Sequence, residues 1–158
     1  MPLLINQKLI ENDSWQLLTD EEQALPADGS VILPLARFEQ AKADGSALTL
    51  APLVNGDDDV NVLLELAPTL ELIAIEIPAF TDGRGFSFAR MLRRAGYEGQ
   101  IRALGDVTRD RLAFLTRCGF DAFQVADDRY SDDILSALEE ISVNYQGSSD
   151  EPRPIYHR

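Results

Sequence analysis

Phe80–Arg90, FTDGRGFSFAR, is the densest run of potential ligand-holding residues in this 158-residue chain. An acid, two glycines, an arginine and a serine fall within positions 82–87. If the run follows a strand and opens a helix, it presents backbone N–H groups without intrahelical acceptors at the positive end of the helix dipole. That is the chemistry of an anion site. Gly83 and Gly85 would let the backbone turn tightly, and Arg84 would add a charge-assisted fork for an oxyanion. The same residues also describe a plain strand-to-helix corner in which Asp82 or Ser87 caps the helix. A G-x-G without the rest of a dinucleotide fingerprint does not choose between the two.

The surrounding arginines divide by helical angle. At about 100° per residue, Phe88, Met91, Leu92 and Ala95 form an apolar stripe, and Arg90, Arg93 and Arg94 fall opposite it as a solvated face. Arg84 falls within the stripe at the first turn. Arg111 does the same in the next helix, between Phe114, Leu115 and Cys118. A guanidinium buried there needs an anionic partner. That partner is either a bound anion or a nearby carboxylate such as Asp106 or Asp82. The candidate anion site is therefore Asp82, Gly83, Arg84, Gly85, Ser87, Asp106 and Arg111.

Other chemistries find few residues. The one histidine, His157, stands next to the last position, which leaves Ser-His-Asp and Cys-His sets without an internal base. A Cys/His zinc site lacks ligands, and no Walker A run occurs. Cys118 ends a helix on an apolar stripe and reads as a core thiol. Asp127–Asp128 at a strand end reads as capping acids rather than a cation site. No metal is expected, and no residue pattern identifies a cofactor.

Hydropathy patterning supplies the elements that must position these residues. LLIN, QKLI, SWQLL and SVILPL read as short strands, and ARFEQAKADG as a short helix closed by Gly45. From Ala47 the pattern alternates regularly. ALTLAPLV, ELIAIEIP, QIRALGDV and DAFQVADD read as strands. DDDVNVLLELAPTL, GRGFSFARMLRRAG, TRDRLAFLTRCG and SDDILSALEEISVNY read as helices, with Thr108 and Ser131 as N-caps of the last two. The expected fold class is α/β: a mainly parallel sheet of four β-α units, half-TIM-barrel-like or doubly wound, with a small N-terminal β-rich extension. The expected organisation is a single domain. Residues 1–46 pack on a β-α core spanning 47–145, and 146–158 form a polar, flexible tail. All four strand C-termini then share one edge, the usual ligand edge of such sheets.

Two central strands carry charge on one face, Glu76 in the first and Arg102 in the second. A doubly covered parallel strand would be apolar on both faces. The expectation is a polar open face on which Glu76 and Arg102 meet if their strands are neighbours, and which invites a second subunit as a homodimer.

Charge and length narrow the partners. The net charge of −13 argues against nucleic acid, which is bound through clustered Lys and Arg. Residues 80–130 carry nine arginines against seven acids, so the acidity lies elsewhere and the middle suits a small anion. No apolar run approaches the roughly 20 residues of a membrane span, and the N-terminus lacks a basic signal region. One cysteine fits a reducing compartment. A soluble cytoplasmic protein is expected.

Three ordered blocks, F-T-D-G-R-G-F-S-x-A-R-x-L-R, then G-Y-x-G-x-I-R-A-L-G-D-V-x-x-D, then R-C-G-F-D-A-F, resemble the bacterial family catalogued as domain of unknown function 934. The resemblance is close over residues 47–130 and looser in the N-terminal strands. It implies a probable oxidoreductase of sulfite reduction, encoded with sulfite reductase and phosphoadenylyl-sulfate reductase, and it carries over no catalytic residues. Two expectations follow. One is an accessory or interaction protein of assimilatory sulfate and sulfite reduction, with sulfite reductase or another sulfate-assimilation enzyme as partner and an oxyanion at the strand edge. The other is a small-molecule enzyme acting on a phosphorylated or sulfated substrate, with Asp82, Arg84, Asp106 and Arg111 around a pocket.

Overall fold

The computed structural model describes residues 1–20 and 22–157. Among the described residues, eight strands form one sheet: β1 (Leu3–Ile5), β2 (Lys8–Ile10), β3 (Trp15–Leu17), β4 (Ser30–Pro34), β5 (Thr49–Val54), β6 (Leu72–Ile77), β7 (Gln100–Gly105) and β8 (Ala122–Gln124). Their order is β2-β1-β8-β7-β6-β5-β4-β3. From β3 to β8 each strand lies parallel to the next in sequence, and β1 pairs antiparallel with both β8 and β2. The α/β class holds, but the sheet is mixed. Sequential strand order removes the doubly wound alternative, which requires the order to reverse, and leaves a curled half-barrel.

The expected four β-α units need correction at both ends. β3 and β4 are members of the parallel run, and β4 is followed by its own helix, α1 (Leu35–Ala43). Helices α2 (Val60–Leu66), α3 (Arg84–Arg94) and α4 (Leu112–Cys118) follow β5, β6 and β7. The helix expected after β8 is absent. Residues 127–129 and 134–138 form 3-10 turns instead, and no α-helix starts at Ser131. Ile134 and Ala137, three residues apart, are its buried positions, which matches three residues per turn rather than 3.6. α2 is likewise shorter than its apolar pattern. The Asp59 side chain caps it by accepting from the Asn61 N–H at 2.8 Å, and Pro68 turns its end into a 3-10 segment. Thr108 makes no side-chain capping bond to the 3-10 turn 109–111 that leads into α4, and its hydroxyl donates to Asp110 at 2.6 Å.

The main core lies between the sheet and α2–α4. Ile73, Ile75 and Ile77 of β6 and Ile101 and Ala103 of β7 are buried against Phe88, Ala89 and Leu92 of α3 and Leu112 and Leu115 of α4. α3 is therefore rotated from its expected stripe. Gly85 and Ala89 face inward, while Met91 is exposed. Arg93, expected to be solvated, is part-buried and donates to the carbonyls of Tyr97, Gly99 and Gly119 and to the Asp121 carboxylate at 2.7–2.9 Å. Asp121 in turn accepts the Ile101 N–H at 2.8 Å, so one arginine ties α3 to the turns before β7 and β8.

The other sheet face is not the open polar surface expected. Ile32, Ala51, Leu72, Ala74 and Leu104 form a buried cluster there with Trp15, Leu17 and Leu53. Arg102, 1% exposed, lies on the same face beside Ala74. Glu76 shares that face but is exposed, and the charge partner of Arg102 is Asp13, at 2.5 and 3.1 Å, with Gln100 Oε1 accepting at 3.0–3.1 Å. Asp13 belongs to the four-residue link between the edge strands β2 and β3. Five residue steps hold Ile10 and Trp15 within roughly 18 Å, so the two edges approach one another and the sheet must curl.

The buried pair generates a stability test. Asp13→Ala leaves the Arg102 guanidinium with Gln100 as its polar partner and is expected to destabilise by about 1.5–3 kcal/mol in urea unfolding. Arg102→Met combined with Asp13→Leu is expected to recover most of that loss, because an apolar replacement removes the desolvation cost of both ions. Equal stability of Asp13→Ala and wild type would refute the account.

Candidate functional site

The C-terminal ends of β5 to β8 share an edge; Asp82, Gly83, Asp106 and Arg111 lie in the segments that follow the strands, and Arg84 and Gly85 open α3. Ser87 is exposed in the second turn of α3. The glycine this edge demands is Gly105, at φ +88°. A Cβ there would stand 2.3 Å from the Ile77 carbonyl oxygen, which accepts the Asp106 N–H at 2.7 Å. Gly83 has φ −95° and no atom near its Cβ position, so the tight turn expected of it is not required. Gly85 serves packing: a Cβ would sit 3.0 Å from Ile75 Cγ2.

Two arginine clusters occupy the edge. Arg84 is about half exposed rather than embedded in the apolar stripe. Its Nε and NH2 donate to the two oxygens of Asp82 at 3.1 and 2.8 Å, and its NH1 donates to Asp57 at 2.6 Å and to the Gly56 carbonyl at 3.1 Å. Asp82 Oδ1 also accepts the Arg84 backbone N–H at 3.0 Å, so this donor of the helix start is already used. The side-chain bonds from Arg84 hold the Asp82 carboxyl down at about 2.

Arg111 is buried. Its NH1 donates to the Asp106 carboxylate at 2.6 Å and to the Asp106 carbonyl at 2.9 Å, and its guanidinium stacks on the rings of Phe80 and Phe86, 5.4 and 5.2 Å from their centroids. The second oxygen of Asp106 accepts from Arg129 at 2.8 Å. One carboxylate thus satisfies two arginines, the structural alternative the sequence left open for Arg111. Phe80, Thr81, Gly83, Phe86, Asp110, Arg111 and Phe114 line an open groove of about 440 Å³. Of the seven expected site residues, Gly83 and Arg111 line this groove. Arg84 and Asp82 turn toward the end of β5 instead.

A family model described as "Bacterial protein of unknown function (DUF934)" matches residues 52–156. The chain belongs to this family. The matched span opens within β5 and takes in all four strand ends, both arginine clusters and the groove. No curated protein matches the chain.

The sequence reading held Phe80 within the motif without giving it a role, missed Asp57 and Arg129, and placed Phe114 inward. Phe114 is 57% exposed and Phe80 is 74% exposed. Phe114 was open to correction from the sequence, since it stands two residues and roughly 200° around the helix from Leu112. The Asp57–Arg84 and Arg129–Asp106 pairs span 27 and 23 residues and carry no local signal. Cys118 is half-buried at the end of α4, and burial pushes its thiol pKa up, which disfavours the reactive thiolate. Among the described residues, no three His, Cys, Asp or Glu side chains come together as a metal-holding group, and no helix is long and apolar enough to cross a membrane.

Two outcomes test this geometry. The depressed Asp82 pKa means its pairing is present above the ordinary carboxylate range and lost as pH falls through about 2. Side-chain NMR titration should place the Asp82 midpoint there, and Arg84→Gln should raise it toward 3.8. Separately, Asp106→Ala is expected to destabilise the fold by about 1.5–3 kcal/mol in urea unfolding, because it takes the carboxylate from the buried Arg111 and leaves it the residue-106 carbonyl and two rings. Asp57→Asn, on the surface, should change stability by no more than about 0.5 kcal/mol.

Proposed function

We propose that the protein is an accessory interaction protein of assimilatory sulfate and sulfite reduction, docking to sulfite reductase or a neighbouring enzyme through the groove between Phe80 and Phe114. The pathway rests on the family resemblance. The docking mode rests on one observation: two large, exposed aromatic rings flank a groove at the strand edge where Arg84, Arg111 and Arg129 are each paired with aspartate. Phe rings of this kind bury about 150–250 Å² each when covered and dominate interface energetics. An oxyanion at Arg84 would have to displace Asp82 or Asp57, both within 2.8 Å, and so would gain little beyond what those carboxylates already supply. The enzyme reading calls for a carboxylate of raised pKa beside the arginines. At Asp82 the shift runs the other way.

The test measures association of the purified protein with purified sulfite reductase by interferometry. Phe80→Ser combined with Phe114→Ser is expected to weaken association by about tenfold or more, with the far-ultraviolet circular dichroism unchanged. Millimolar sulfite or sulfate should leave the affinity unaltered. Absence of association, or equal binding by the double variant, would reject the proposal.

A further inference from the structure

The groove fits several occupants, and the charge around it separates them. The four connections that follow β5–β8 (residues 55–59, 78–84, 105–111 and 126–129) carry eight aspartates and four arginines. Each of those arginines is spent within the chain. Arg84 pairs with Asp57 and Asp82, Arg111 and Arg129 with Asp106, and Arg109 with Asp133 and Glu140. Eight aspartates against these four arginines and the N-terminal ammonium, which pairs with Asp127 at 3.1 Å, leave the edge negative by three charges, and Asp110, exposed, lines the groove itself.

A second copy meeting this edge with its own would bring aspartates against aspartates at a molecular net charge of −13, which opposes association. The chain's own C-terminal segment is engaged elsewhere. Ser149 donates its N–H to the Arg117 carbonyl at 3.0 Å, Arg117 donates to the Gln146 carbonyl at 2.7 Å, and the Ile155 N–H bonds the Tyr145 carbonyl at 3.1 Å. A partner of opposite charge remains.

We propose that the Phe80–Phe114 groove receives an apolar side chain carried on a lysine- or arginine-rich segment of another protein, the apolar group entering between the rings and the cations meeting the surrounding aspartates. This inference rests on the docking reading above and adds the chemistry of the partner. Apolar burial supplies the affinity. The charges speed encounter and exclude acidic surfaces and second copies.

The experiment uses two fluorescent synthetic peptides with the same central leucine and phenylalanine, one flanked by lysines and the other by glutamates. Anisotropy is read against the full chain. The lysine peptide should bind and weaken as salt rises, and the glutamate peptide should not bind. Phe80→Ser with Phe114→Ser should weaken the lysine peptide about tenfold. Asp110→Asn with Asp128→Asn should do the same, while Glu39→Gln with Asp44→Asn, on α1 and at its C-cap, should leave it unchanged. Equal binding of both peptides, or loss through the α1 variant as great as through the edge variants, would overturn the inference. So would sulfite reductase binding that depends on Phe80 and Phe114 yet ignores the aspartate variants; that result would leave the docking reading standing.

Discussion

The Arg102–Asp13 ion pair is the constraint on which the shape of the molecule depends. Arg102 is nearly inaccessible on the inner sheet face, so its charge is tolerable only with a carboxylate in contact. That carboxylate comes from the short link between β2 and β3, the two edge strands of the sheet. The pair therefore holds the link against β7, four strands from β3 and three from β2, and a flat sheet could not satisfy it. The parallel run sets the C-termini of β5–β8 on one edge, the curl bends that edge into a rim, and the loops there carry the two arginine clusters and the aromatic groove.

The same logic, an arginine consumed by internal acceptors, recurs across the structure. Arg93 spends its donors on three carbonyls and Asp121, Arg111 on Asp106 and two rings, and Arg84 on Asp82, Asp57 and Gly56. In each case an arginine stitches together segments distant in sequence. What these pairings leave exposed at the rim, without an ion-pair partner among the described residues, is apolar and acidic, the Phe80 and Phe114 rings and Asp110 and Asp128, and the functional reading rests on it.

Strands β5–β8 and helix α3 were legible because their apolar periods are unbroken and glycine closes the helix. The half-barrel was only half legible. Strand order depends on the curl, and the curl depends on a contact between positions 13 and 102 that no local pattern reveals. The sequence placed charge on the inner face through Glu76 and Arg102 but paired them with each other, since the link carrying Asp13 gives no sign of crossing to β7. The helix after β8 failed for a different reason. Its apolar residues suit an α-helix, yet Arg109 anchors Ser136, Asp133 and Glu140 to the turn before α4 and the segment settles into 3-10 geometry. At the candidate site the loops were foreseen, but the bonding was not. FTDGRGFS reads as an anion cradle until Asp57 and Asp82 are seen to fill it.

The central claim is that the rim bearing Phe80 and Phe114 is a protein-docking surface. Hydrogen–deuterium exchange of the protein with and without purified sulfite reductase tests it most directly. The account predicts slowed exchange in 78–86 and 110–116, with no change at the opposite end of the sheet around 64–70 and 95–99. Protection confined to that opposite end, or none anywhere under conditions of measured association, would contradict it.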